Sequence, residues 1–155
     1  NGVMRKSQRE ADFVAAAMAF FGDNDKLDHR TRLTAYASAI DRVSRSYPDD
    51  REASLFYALS LLATADPLDA TYARQRQAGE VLERIFKEMP DHPAAAHYII
   101  HAYDCGPLAE RAMESITTGL QWNLAAPPLV FTGEIESHLE AATELGATMA
   151  ALLMD

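Results

Sequence analysis

Apolar residues recur at helical spacing along nearly the whole chain, in runs that end on proline- or aspartate-bearing breakers. Nothing alternates apolar and polar residues long enough to form a half-buried strand, and no Asn-Gly hairpin joins two β-branched runs. A chain patterned in this way has one economical solution, which is to pack helices against helices.

Seven segments carry the pattern. The first spans about Lys6 to Phe21, with Phe13, Ala16, Ala17 and Phe20 as its stripe. Gly22 and the acidic run after it end the segment. The second spans about Asp28 to Ser46, on Leu33, Tyr36, Ala37, Ile40 and Val43, and Tyr47-Pro48-Asp49-Asp50 breaks it. The third, about Arg51 to Thr64, has Leu55, Leu59 and Leu62 on one side and Ala58 and Leu61 on another, so both sides should be covered. The fourth runs from about Ala70 to Glu88 on Ala78, Leu82, Ile85 and Phe86. The fifth opens at His92-Pro93, with proline suited to a first turn, and closes at Tyr103. The sixth covers about Leu108 to Trp122. Pro127-Pro128 keeps Asn123 to Val130 from being helical throughout, and the last helix runs from about Thr132 to Met154.

The segments pair off as hairpins, and the pairing repeats. Pro48 and Pro90 each follow a helix, precede an acidic residue and introduce an alanine-rich helix, and they stand 42 residues apart. Helical-repeat proteins have periods of this order, the tetratricopeptide unit being about 34 residues. The excess falls in the loop around Ala65 to Thr71 and in longer helices.

Tyr57, Ala58 and Leu61 match the first helix of that unit, and Ala78, Leu82, Ile85 and Pro90 match the second. In the next unit Ile99 and Tyr103 fit, whereas Ile100 stands where a small residue belongs and Pro127 arrives late. On these positions the chain resembles the tetratricopeptide-repeat family over about residues 10 to 112. The run His92-Pro-Ala-Ala-Ala-His-Tyr-Ile-Ile-His-Ala-Tyr-Asp104 is similar to that of a poorly characterised bacterial group of such proteins. The resemblance implies an all-α fold of antiparallel hairpins stacked as a short superhelix of about seven helices. It implies one domain over 1–155, in which 123–155 is a divergent C-terminal capping helix. It also implies a concave groove lined by the first helix of each hairpin. By that analogy the ligand-binding positions are His97, His101 and Asp104 in one unit and Leu55 and Leu59 in the unit before. The lysine and asparagine set with which chaperone-binding members hold a C-terminal carboxylate is missing, which disfavours a co-chaperone role.

Charge narrows the partners. The chain carries 23 acidic against 14 basic residues, for a net charge of −9. Such a surface repels phosphate backbones, so nucleic acid is excluded as a partner. No apolar run is long enough to cross a membrane. A single cysteine allows no internal disulfide and no zinc-ribbon spacing, and it leaves the compartment open, with the cytoplasm favoured. At 155 residues the chain can bury roughly 70% of its unfolded surface, enough for a core without metal or disulfide. No cofactor is expected.

The histidines are the chemistry-bearing feature. His97 and His101 are four residues apart on one helix and share a face, and Asp104 lies three further on. Three readings stay open: satisfied polar groups between helices, contacts to a ligand in the groove, or ligands of a transition metal such as zinc. Tyr98 follows the first histidine where a zincin has glutamate, so protease chemistry is unsupported. Cys105 beside Asp104 lacks a base aimed at it and is read as a packing or turn residue rather than a nucleophile. The expected function is therefore a non-enzymatic scaffold for a protein, peptide or small-molecule ligand, with a metal-binding or metal-dependent protein centred on His97, His101 and Asp104 as the alternative. In the last helix Glu134, Glu136, Glu140 and Glu144 read as a solvated face. Ile135, Leu139, Ala142, Gly146, Met149 and Leu153 follow a 4-3 spacing that suits packing on the sixth helix or a homodimer seam.

Overall fold

The computed structural model describes residues 7–121, 129 and 135–152. Its helices are α1 (Gln8–Phe21), α2 (His29–Ser46), α3 (Arg51–Ala63), α4 (Ala73–Glu88), α5 (Pro93–Tyr103), α6 (Ala109–Gly119) and α7 (Leu139–Leu152). Short 3-10 turns stand at Gly106–Leu108 and Ile135–His138. No strand occurs among the described residues. The all-α architecture expected from the periodicity is the one observed.

Local chemistry explains where helices begin. Ser7 and Glu10 form a reciprocal capping box at α1, the Asp28 carboxylate accepts from the Thr31 N–H, and Asp50 accepts from the Ala53 N–H. α4 starts at Ala73, three residues later than expected. Asp69 accepts from the N–H groups of Thr71 (2.9 Å) and Ala73 (3.2 Å), and Tyr72 takes a left-handed conformation at φ 53°. The side chain thus satisfies the early donors of the turn, and the helix waits. α6 ends at Gly119 rather than Trp122, with Gln121 at φ 57°. α7 begins at Leu139, after the 3-10 turn. Trp122, Thr132, Leu153, Met154 and, apart from Leu129, the expected non-helical stretch Asn123 to Val130 lie outside the described residues or at their limit.

Each helix from α1 to α6 packs on the next, and α3 also meets α5 while α4 meets α6. The first helices of the three hairpins therefore form one layer. Phe13 of α1 meets Phe56 of α3 edge to face at 6.2 Å, Arg9 pairs with Asp50, and His92 at the start of α5 bonds Glu52 of α3 at 3.1 Å. Among the described residues two hydrophobic clusters fill the interior. The larger unites α3 to α6 around Leu82, Ile85, Phe86, Ile99 and Tyr103, and the smaller joins α1, α2 and the start of α3 around Ala16, Ile40, Val43 and Ala53.

Close approach of α4 to α5 depends on Gly79. A β-carbon there would stand 2.2 Å from the fully buried Tyr103 ring. α7 has no substantial contact with α1 to α6 among the described residues. The expected seat on the sixth helix is thus not found there, and Leu139 and Met149 of the 4-3 seam stay exposed. Leu153 of that seam and Glu134 of the acidic face lie outside the described residues, while Glu136, Glu140 and Glu144 are exposed as expected. Among the described residues no helix is long and apolar enough to cross a membrane.

Candidate functional site

α5 buries Ala95, Ile99, Ala102 and Tyr103 against the larger core. That register turns His97, Ile100 and His101 outward, where all three are exposed. The two imidazoles meet: Nε2 of His101 lies 3.1 Å from Nε2 of His97, with ring centroids 4.7 Å apart and planes at 75°. One ring donates and the other accepts. The half-buried Tyr98 stands edge-on to His97 at 5.2 Å and limits its rotation.

Asp104 does not join them in a three-ligand centre. The helix ends at Tyr103, and Asp104 at its C-cap has left helical geometry, with ψ at 58°, so the face that carries the histidines does not continue through it. Among the described residues no group of three or more His, Cys, Asp or Glu side chains converges as a metal centre. Cys105 is partly buried, and burial first, with Asp104 adding to it, pushes its thiol above the ordinary range. That is the opposite of what a nucleophile needs.

Leu55 requires a correction. It is 4% exposed and belongs to the larger core, so it offers no surface to a ligand. Leu59 is half-buried and packs against the same core. The residue that α3 presents on the open side is Phe56, 39% exposed. Spacing alone identifies an apolar stripe but leaves the roll of a helix open by one residue when several sides are apolar.

Phe56 opens onto a feature that sequence inspection missed. Between α1 and α3 lies a slot of about 390 Å³, lined by Arg9, Glu10, Phe13, Val14, Glu52 and Phe56. Its floor is apolar and its rim charged. The Arg9 guanidinium stacks over the Phe13 ring at 4.8 Å and pairs with Asp50, which holds that carboxyl below its usual range. The available signal was Phe56 itself, an aromatic side chain belonging to neither apolar stripe of its helix. No family model, curated protein or solved structure matches this chain.

A larger cavity of about 600 Å³ lies on the opposite layer, between α4 and α6, with Phe86, Lys87, Pro90 and Thr118 in its lining. Glu83 stands at its edge as the hub of a polar network. Its Oε1 accepts from Tyr103 (3.0 Å), from Nε of Arg111 (2.9 Å) and from Ser115 (2.6 Å), while Oε2 accepts from Nη2 of Arg111 at 2.8 Å. Burial works against the Glu83 carboxylate, but the bonds from Arg111, Ser115 and Tyr103 outweigh it and hold the carboxyl below the ordinary range. Burial, then the bond to Glu83, drives the Tyr103 phenol well above its usual range. Tyr103, Arg111 and Ser115 all donate to Glu83, which marks the network as a tie between helices.

Proposed function

We propose that this chain is a non-enzymatic, tetratricopeptide-like scaffold that holds a peptide across the open face of α1, α3 and α5. The observation that carries the proposal is the apolar slot lined by Phe13, Val14 and Phe56, on the same helix layer as the outward-facing His97, Ile100 and His101. Helical repeats use such a layer as their binding surface, so the likeness and the slot support one another. The partner is a segment with one large apolar side chain for the slot and a lysine or arginine beside it. Glu10 and Glu52 rim the slot, and the net charge of −9 would steer a basic segment towards it. The imidazole pair offers hydrogen bonds to main-chain or carboxylate groups further along.

A random peptide library selected on the purified chain tests this. Selected peptides should share an apolar residue flanked by basic ones. Phe56→Ser should weaken them by about tenfold or more, as the loss of a buried anchor does, while circular dichroism and melting stay close to the parent. Peptides that bind Phe56→Ser as tightly as the parent would remove the slot from consideration.

Exposed Leu139 and Met149, on the 4-3 spacing of α7, support a second interaction, with another copy of the same helix, because such a spacing is self-complementary. Sedimentation should show a dimer that Met149→Asp dissociates. A monomeric parent at 100 micromolar (about the upper end of a useful affinity) excludes it.

A further inference from the structure

We propose that His97 and His101 form a surface chelate for a divalent ion of the copper, nickel and zinc class, with water or a partner's donor completing the coordination shell. The distance between the two Nε2 atoms is 3.1 Å. Nitrogens bound to such an ion lie at about 2.0–2.1 Å from it, so this spacing subtends an angle of about 100° at the metal. That falls between the right angle of square-planar or octahedral neighbours and the tetrahedral angle, so the spacing of the two nitrogens already suits a shared ion.

Three further observations favour the chelate. The same atom, Nε2, faces inward on both rings, so once the donor ring carries its proton on Nδ1 both nitrogens can offer a lone pair to one ion. α5 is anchored through Ile99, Ala102 and Tyr103, all fully buried, so one turn of rigid helix fixes the pair. Both histidines are exposed, so a hydrated ion reaches them without any opening of the fold. The hydrogen bond between the rings is exchanged for two metal–nitrogen bonds, and the donor ring moves its proton to Nδ1. No third side chain closes the site among the described residues. It is therefore an open site, able to accept a carboxylate or imidazole from outside, and not a structural centre. Imidazole donors order the ions as copper tightest, then nickel and zinc, with manganese and magnesium negligible.

The test is calorimetric titration of the full chain with the chloride salts of Cu2+, Ni2+, Zn2+ and Mg2+ in a non-chelating buffer. His97→Ala, His101→Ala and, as a control, His29→Ala are titrated alongside. One Cu2+ per chain is expected, weakened about tenfold or more by either α5 substitution and unchanged by the control, since losing one of two chelating arms costs at least one factor of ten. Electron spin resonance of the Cu2+ form should show two equivalent imidazole nitrogens in the parent and one in each α5 variant. Parent-like binding and spectra in either α5 variant would place the ion elsewhere and overturn the proposal, as would no Cu2+ binding at all. Peptide binding that persists in a chelator leaves the slot proposal standing, so the two ideas fail separately.

Discussion

At the residue scale the interior leaves little slack, and glycine shows it best. Gly79 sits mid-helix, where alanine would ordinarily gain about 1 kcal/mol of helix propensity. A methyl group there would collide with the Tyr103 ring at 2.2 Å, and that ring is fully buried. Gly79→Ala should therefore destabilise by about 1–3 kcal/mol, as overpacking does. Chemical denaturation checks this, and a gain in stability would mean that α4 and α5 pack less closely than described. The two leucines of α3 separate in the same way. Leu55→Ala should cost about 2–5 kcal/mol, while half-buried Leu59→Ala should cost less, despite their identical chemistry. Spacing could not rank them, because both belong to the same stripe. What was legible was that His97 and His101 would share a face, since two positions four apart on a helix do; that their rings touch was shown by the structure. The helix end at Tyr103 was legible too, from the breaker after it; what was not legible was that Asp104, just past that end, leaves the face of the histidines, because its direction is set by backbone geometry at the cap.

At the scale of elements, helix positions were legible wherever a serine or aspartate capped the first turn, as at Ser7, Asp28 and Asp50. The late start of α4 was hidden because Asp69 takes over capping from four residues before Ala73. The Glu83 network was invisible for a different reason: its partners lie 20 to 32 residues away, on α5 and α6. Its consequence can be measured. The folded Glu83 carboxyl is held below its ordinary range, so the unfolded chain takes up that proton first as pH falls. The stabilisation is complete above the ordinary glutamate value of about 4.3 and disappears as pH drops through the lower folded value. Glu83→Gln should lose about 1–3 kcal/mol at pH 7, discounted because the Arg111 side chain is more than a third exposed. The gap between variant and parent should narrow as pH falls below the ordinary glutamate value. A gap that stays as wide there would assign the loss to packing instead of charge.

At the scale of the whole molecule, the fold rests on two apolar clusters of unequal size. The smaller one, shared by α1 and α2 with the start of α3, should open more readily than the larger. Amide hydrogen exchange should find α4 and α5 more protected than α1 by a factor of ten or more (about 1.4 kcal/mol in local opening free energy). Equal protection throughout would mean a single cooperative unit. Because these clusters carry the stability, dialysis against a strong chelator should leave the melting temperature where it is in metal-free buffer. A large fall, restored by zinc, would show that metal is part of the fold.

α3 contributes Ala53 to the smaller cluster and Leu55, Ala58 and Leu61 to the larger, and Tyr57 packs against both. The sequence invites division into modules at the loop after Ser46, where one hairpin stops and the next begins. Cutting there would strip the wall from one room while leaving the other with a bare outer face. The smallest fragment that could keep the smaller cluster whole must carry α3 with it, and then exposes Leu55, Ala58 and Leu61 to other chains. Truncation experiments on this protein should thus yield aggregates at that boundary, however natural it looks.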